Sequence, residues 1–164
     1  IKKLLKLVET NRQLSRKKTS LIEFMDKLST DLKSEFSFTS EICNVSKVEA
    51  LVESVFAENN VSRDHYARVL IALTEAVNNA ILHGNSADPC KMVCVSFQPE
   101  SDMLYFYVKD EGKGFDPECL PDPTDPEHID KPNGRGVFLM KKLADTIEFV
   151  SCGNKVKLGF KVNA

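Results

Sequence analysis

The chain of 164 residues contains no run of 18 consecutive apolar residues, and no signal peptide is visible at its start. A membrane-spanning helix needs about 20 predominantly apolar residues, and a signal peptide needs a basic start followed by an apolar stretch. The sequence therefore predicts no membrane span. Because it begins with Ile1 rather than methionine, we expect a fragment that lacks residues upstream.

Cysteine motifs are missing as well, because none of the five cysteines forms a Cys-x-x-Cys pair. Cys90 and Cys94 are close in sequence, but no second pair and no nearby histidine completes a zinc site. We interpret the cysteines as reduced thiols and expect a cytoplasmic protein.

The chain also lacks the common nucleotide-binding signatures. It has no Gly-x-x-x-x-Gly-Lys-Ser/Thr, no Gly-x-Gly-x-x-Gly, and neither His-Arg-Asp nor Asp-Phe-Gly. These absences exclude the P-loop, the dinucleotide-binding fingerprint and the usual protein-kinase signature.

Charged residues of both signs are common, but they are unevenly distributed along the chain. Residues 1–33 hold nine Lys/Arg against four Asp/Glu, and the remainder holds 13 against 20, which together give the net charge of −2. The overall contents of 42% hydrophobic and 28% charged residues are globular values. An acidic body does not suggest nucleic-acid binding, so we expect no direct nucleic-acid partner.

A leucine heptad marks the first 32 residues. Leucines recur every seven residues, and a second set at the preceding heptad position completes a seam with two polar members. The first set is Leu7, Leu14, Leu21 and Leu28; the second is Leu4, Asn11, Lys18, Met25 and Leu32. This pattern predicts a coiled-coil or signalling helix over residues 1–32 that forms a homodimer. The alternative is one amphipathic helix that packs on the body.

Hydrophobic periodicity predicts an α/β body over residues 33–164. Alternating and helical patterns follow one another, and Ser46 and Ser62 (or Asp64) are expected as N-caps. The predicted strands are residues 35–39, 91–97, 103–109, 147–150 and 155–162; the predicted helices are 46–59, about 62–82 and 137–145; residues 117–132, with five of the seven prolines, predict a lid-like loop.

Polar residues line one face of the second predicted helix. Glu75, Asn79 and His83 are spaced at i, i+4 and i+8 and therefore share a face. The amide oxygen of Asn79 suits Mg²⁺, which is usually shared with substrate phosphates. The carboxylate of Glu75 can accept a proton near those phosphates. The alternative is an ordinary solvated helix face.

Two glycine-containing loops follow. Asp110 ends a predicted strand, and Gly112 and Gly114 come after it, so that a backbone can approach a flat ring while the carboxylate accepts from an exocyclic amine. Farther on, the run Gly134-Arg135-Gly136 precedes a helix, whose free N–H groups can hold an anion. Ordinary glycine turns are the alternative for both loops.

The order of these motifs resembles the N, G1 and G2 boxes of the GHKL superfamily, which includes gyrase, histidine kinases and mismatch-repair ATPases. The resemblance covers about residues 34–164. The stretches at residues 75–83 and 134–140 look most like the bacterial anti-sigma-factor serine/threonine kinases. The implied fold is the Bergerat two-layer α/β sandwich, with helices on one face of a mixed β-sheet. The stretch Gly153-Asn154-Lys155 departs from the Gly-Thr of many members.

The resemblance implies a role for each motif residue. Asn79 would be the magnesium ligand and Glu75 the general base. Asp110 would bind the adenine amine. Gly112 and Gly114 would shape the base pocket, and Gly134 and Gly136 would anchor the lid over the phosphates. Beside the resemblance, Arg135 can add positive charge at the anion site, and His83 is a further candidate for cofactor binding.

The function expected is an ATP- and Mg²⁺-dependent protein serine/threonine kinase that phosphorylates a small antagonist protein and binds a sigma factor in alternation. One alternative is the ATP-binding domain of a sensor histidine kinase, although no histidine precedes His65. The other is a non-catalytic module that uses ATP only to order itself for binding.

Overall fold

The computed structural model describes residues 35–115 and 135–162. The elements are strand β1 (Glu35–Thr39), helix α1 (Lys47–Glu58), helix α2 (Tyr66–Asn79), strands β2 (Met92–Glu100) and β3 (Met103–Lys109), helix α3 (Arg135–Leu143), and strands β4 (Thr146–Val150) and β5 (Lys155–Lys161). Predictions for residues 1–32, for Gly134 and for the loop at 117–132 lie outside the described residues. No helix in the described ranges is long and apolar enough to cross a membrane.

The five strands form one sheet in the order β1-β2-β3-β5-β4. Every neighbouring pair is antiparallel, so the expectation of a mixed sheet was wrong. β3 and β4 do run parallel, but β5 lies between them and pairs with both. The direction of a strand depends on which partner it finds, and alternating hydrophobicity does not encode it.

The core lies between the sheet and the helices. Inward positions of the strands alternate with outward polar positions, as a sheet with one covered face requires. The fully buried large side chains are Val48, Val52, Val55, Val69, Leu73, Val77, Ile81, Leu104, Phe106, Met140, Leu158 and Phe160. On the opposite face, the Lys157 ammonium lies 4.1 Å from the centroid of the Tyr105 ring. The described residues thus make the expected two-layer α/β arrangement.

The predicted N-cap residues Ser62 and Ser46 differ in the bonds that their side chains make. The Ser62 hydroxyl accepts from the backbone N–H of Asp64 and begins the short 3-10 turn that leads into α2. Ser46 precedes α1 as predicted, but its backbone is already helical, and its side chain makes no cap bond. Its hydroxyl instead donates to the Cys43 carbonyl, because a 3-10 turn over Ile42–Ser46 feeds directly into the helix.

A salt-bridged network fixes the start of α2 to the sheet. Arg68 bonds Asp145 at 2.8 Å and also donates to the Lys161 carbonyl. The Asp145 carboxylate accepts in addition from the Lys161 backbone N–H at 2.7 Å. These contacts join α2 to the α3–β4 connection and to the end of β5. They fix the orientation of α2, which carries the candidate catalytic residues.

Candidate functional site

Helix α2 carries the polar motif and changes form where the motif ends. The α-helix stops at Asn79 and continues as one π-helical turn over Ala80–Gly84. Such turns occur frequently at functional sites. Glu75 and Asn79 are half-buried, whereas His83 is exposed. The α2 segment therefore presents its carboxylate and amide within the fold and its imidazole to solvent.

The start of helix α3 lies directly against Glu75 and Asn79. A Cβ placed on Gly136 would lie 2.7 Å from Oε2 of Glu75 and 3.3 Å from the amide oxygen and nitrogen of Asn79. Only glycine lets the α3 backbone approach these two side chains so closely. The structure thus brings Glu75, Asn79 and Gly136 together. Arg135 is exposed in the first turn of the same helix.

The second part of the site surrounds Asp110 at the end of β3. Its side chain is buried, with 8% exposure, and Oδ1 accepts from the Gly112 backbone N–H at 2.7 Å. Burial raises the pKa of Asp110 above its ordinary value, and the Gly112 N–H and the Lys91 charge oppose that rise. A buried carboxylate is a strong acceptor for an amine that enters the pocket.

Two glycines make room for that carboxylate. A Cβ on Gly84 would lie 2.3 Å from Cγ of Asp110, and a Cβ on Gly112 would lie 2.1 Å from the Gly84 carbonyl oxygen. The end of the π-helical turn therefore packs backbone to backbone against the Asp110 loop. The sequence predicted Gly112 in this role, but it treated Gly84 only as a helix end.

Gly114 connects the loop to the closing hairpin. It adopts a positive φ of 76°, and a Cβ there would lie 2.0 Å from the Cys152 carbonyl oxygen. Gly153 lies in the same way against the backbone of Phe115, whose ring packs edge-on to Phe149 at 5.3 Å between centroids. Gly114 therefore anchors the loop to the β4–β5 turn as well as permitting its shape.

Asn85 belongs to the site, and the sequence analysis missed it. It is fully buried; Oδ1 accepts from the Glu111 backbone N–H at 2.8 Å, and Nδ2 donates to the Met92 carbonyl at 2.9 Å. A buried polar residue that is satisfied by two distant segments ties them together. The only sequence signal was an asparagine directly after the glycine that ends the helix.

The donors present fit a nucleotide with Mg²⁺. The Asp110 pocket offers a carboxylate and close glycine backbone for a base, and Glu75 and Asn79 offer two oxygen donors near a helix start suited to phosphate. Mg²⁺ usually keeps water and phosphate ligands and takes only one or two protein oxygens, so the Asn79 amide oxygen can hold it while the Glu75 carboxylate can still accept a proton. Within residues 35–115 and 135–162, no cluster of three or more His, Cys, Asp or Glu side chains forms a metal cage.

Comparison with known proteins identifies a family and named relatives. The family model described as "histidine kinase-like ATPase domain" matches residues 38–160. An anti-sigma F factor of Clostridium perfringens (strain SM101 / Type A) is 28% identical over 129 residues, which cover 76% of this chain and 91% of that protein. One of Geobacillus stearothermophilus is 30% identical over 125 residues, covering 74% and 83%.

A solved structure shares the fold. It is the crystal structure of the RsbU and RsbW domains of Rv1364c from Mycobacterium tuberculosis, with a TM-score of 0.58 and 17% identity over 79% of this chain. The chain spans about a third, 32%, of that longer protein. With three quarters of its length matched by the family model, the chain belongs to the histidine kinase-like ATPase domain family, the GHKL superfamily.

Proposed function

We propose that this protein is an ATP-dependent protein serine/threonine kinase of the anti-sigma type. The observation that carries the proposal is the close approach of Gly136 to Glu75 and Asn79. It places a carboxylate and an amide against a helix start, while the other end of the same helical segment, at Gly84, contacts the buried Asp110. One nucleotide can then reach Asp110 with its base and α3 with its phosphates.

In this proposal each side chain has a separate task. Asp110 accepts a hydrogen bond from the exocyclic amine of adenine, and Gly112 and Gly114 shape the base pocket. Asn79 holds Mg²⁺ through its amide oxygen, and Mg²⁺ when bound neutralises phosphate charge. Arg135 and the backbone N–H groups at the start of α3 attract the phosphates, since a helix start carries partial positive charge.

Glu75 is proposed as the general base. Its Oε2 faces the backbone of α3 at Gly136, beside the proposed phosphate site. A carboxylate there can take the proton from a serine or threonine hydroxyl as that hydroxyl attacks the γ-phosphorus, while the bond from the γ-phosphorus to the bridging oxygen breaks and ADP leaves. A positioned base contributes about 10²–10⁴-fold to a rate. A module that only binds ATP has no need of this group, so Glu75 favours the kinase over the non-catalytic alternative.

The relatives suggest the partners. Two matched proteins are named anti-sigma F factors, and we propose that this chain likewise binds a sigma factor and phosphorylates a small antagonist protein that competes for it. We further propose dimerisation through the heptads of residues 1–32. A cytoplasmic location is part of the same proposal, because the described cysteines are free thiols.

The test is phosphoryl transfer from γ-labelled ATP to a candidate antagonist domain. The parent protein should label a serine or threonine, and Glu75→Gln should bind ATP normally but transfer about 10²–10⁴-fold more slowly. An acid-labile phosphohistidine product would favour the histidine-kinase alternative. ATP binding without any transfer would favour the non-catalytic module, and an unimpaired Glu75→Gln variant would remove the base from the account.

A further inference from the structure

Three groups form a closed ring of hydrogen bonds behind the Asp110 pocket. The Asn85 side chain donates to the Met92 carbonyl at 2.9 Å and accepts from the Glu111 N–H at 2.8 Å. The Glu111 carboxylate closes the ring by accepting from the Met92 N–H at 2.7 Å. The Asn85 backbone N–H also bonds the Ala80 carbonyl at 2.8 Å. The ring therefore joins the helix end, the start of β2 and the residue after Asp110.

With the ring in place, three successive backbone N–H groups, those of Asp110, Glu111 and Gly112, are each hydrogen-bonded. The Asp110 N–H donates to the Asn154 carbonyl at 3.0 Å, the Glu111 N–H to Asn85, and the Gly112 N–H to the Asp110 carboxylate. Of these three acceptors, only Asn85 comes from the helical layer. Without Asn85, the Glu111 N–H loses its acceptor, and of the three bonds the Asn154 bond and the Gly112–Asp110 bond remain. The Asp110 carboxylate then has more freedom to rotate.

Asn85 also sets how closely the helix approaches the carboxylate. Asn85 directly follows Gly84. The Cα of Gly84 lies so close to the Asp110 side chain that a Cβ added to Gly84 would lie 2.3 Å from Cγ of Asp110. Because Asn85 is fully buried and bonded on both sides, a shift of Gly84 away from Asp110 would break these bonds. The two residues together fix the wall of the pocket.

We propose that Asn85 is a positioning residue that aims the Asp110 carboxylate and so sets the preference of the site for a 6-amino purine. This inference rests on the proposed binding of ATP. Asn85 does not touch the nucleotide; it acts through Glu111 and Gly84 on Asp110. Loss of Asn85 should therefore weaken binding of an amino-bearing base more than binding of a base that lacks the amine.

The experiment compares calorimetric affinities for ATP and for inosine triphosphate, which carries a 6-oxo group instead of the 6-amino group. The parent protein should prefer ATP by about tenfold or more, the value of a hydrogen bond to a charged acceptor. Asn85→Ala should reduce that preference to about twofold. A role in stability alone would lower both affinities together and leave the ratio unchanged, which would overturn the proposal.

A matched control is Asn44→Ala. Asn44 is also a buried asparagine, and its Nδ2 bonds the Thr39 carbonyl and hydroxyl, both at 2.9 Å. Neither of these bonds involves Asn85, Met92 or Glu111, so the loss of Asn44 should lower the melting temperature but keep the nucleotide ratio. An equal change of ratio in Asn44→Ala would mean that general destabilisation explains the effect, and the proposal would fail.

Two further variants keep the test decisive. Glu111→Ala opens the same ring at an exposed residue, and it should reduce the ATP preference several-fold even if Asn85→Ala fails to fold; an unchanged ratio would count against the ring. Asp110→Ala should abolish the preference. If the parent and Asp110→Ala show the same ratio, adenine recognition by Asp110 is itself wrong, which is distinct from a failure of Asn85 alone.

Discussion

Replacing Gly136 by alanine probes the junction between helix α3 and the proposed catalytic pair. The new methyl group would lie 2.7 Å from Oε2 of Glu75 and 3.3 Å from both polar atoms of the Asn79 amide. Carbon and oxygen are not normally found so close, so the Glu75 carboxylate must shift by several tenths of an ångström. Glu75 is flexible at its far end, so the shift itself costs little stability.

The expected magnitudes separate catalysis from folding. Alanine is favoured over glycine in a helix by up to about 1 kcal/mol, which offsets the crowding, so the unfolding free energy should change by less than about 1 kcal/mol. A misplacement of a catalytic group on the order of 1 Å can cost about 10²-fold in rate. Because the Glu75 carboxylate shifts by only several tenths of an ångström, we expect phosphoryl transfer to fall about tenfold in Gly136→Ala.

The assay pairs steady-state transfer from labelled ATP with urea unfolding of the same preparation. Leu139→Ala, an exposed position on the same helix, controls for changes in α3 that do not touch Glu75, and it should keep parent-like transfer. A Gly136→Ala variant with parent-like transfer would refute the reasoning, because it would show that Glu75 and Asn79 need not keep their place against α3.

Three further predictions follow from other contacts. Asp110→Asn should weaken ATP binding by about 1–3 kcal/mol, yet leave the melting temperature at neutral pH equal or higher. Burial raises the folded-state pKa of Asp110, so the ionised carboxylate lowers stability once the pH exceeds that pKa. A lower melting temperature of the variant would contradict this reasoning. The pKa of Asp145 is lowered because the Lys161 N–H, and to a lesser degree Arg68, bond its carboxylate. The ionised carboxylate therefore stabilises the fold above the unfolded pKa of about 3.9, and this stabilisation is lost as the pH falls through the folded pKa. In urea titrations, the unfolding free energy of Asp145→Asn should therefore fall less steeply in acid than that of the parent. Replacing Leu14 and Leu21 together by alanine should dissociate a dimer in light scattering while ATP affinity stays unchanged, and a parent protein that is monomeric at every concentration would exclude the coiled coil.

Much of the fold could be predicted from local sequence. The strand Glu35–Thr39 and the strand Met103–Lys109 have the predicted bounds, and the remaining elements differ by a few residues at their ends. Period-two and helical patterns record which side chains meet the core, so they locate elements well. They do not record strand direction, and the mixed sheet was therefore expected in error.

The site residues were predictable where residue type and spacing within one helix indicate their chemistry. Glu75 and Asn79 could be grouped because helical spacing puts them on one face, and the structure brings Gly136 to the same place. Gly84 and Asn85 were missed because their roles depend on partners about 26 residues away, at Asp110 and Glu111. No local pattern reports such a contact. The catalytic and binding roles of all these residues stay predictions.

The most direct test of the account is a crystal structure of the protein with a non-hydrolysable ATP analogue and Mg²⁺. The account predicts the adenine amine within hydrogen-bonding distance of the Asp110 carboxylate, the metal on the Asn79 amide oxygen, and the phosphates at the start of α3. A nucleotide bound elsewhere, or one whose base lies away from Asp110, would contradict the central claim that these motifs form one ATP site.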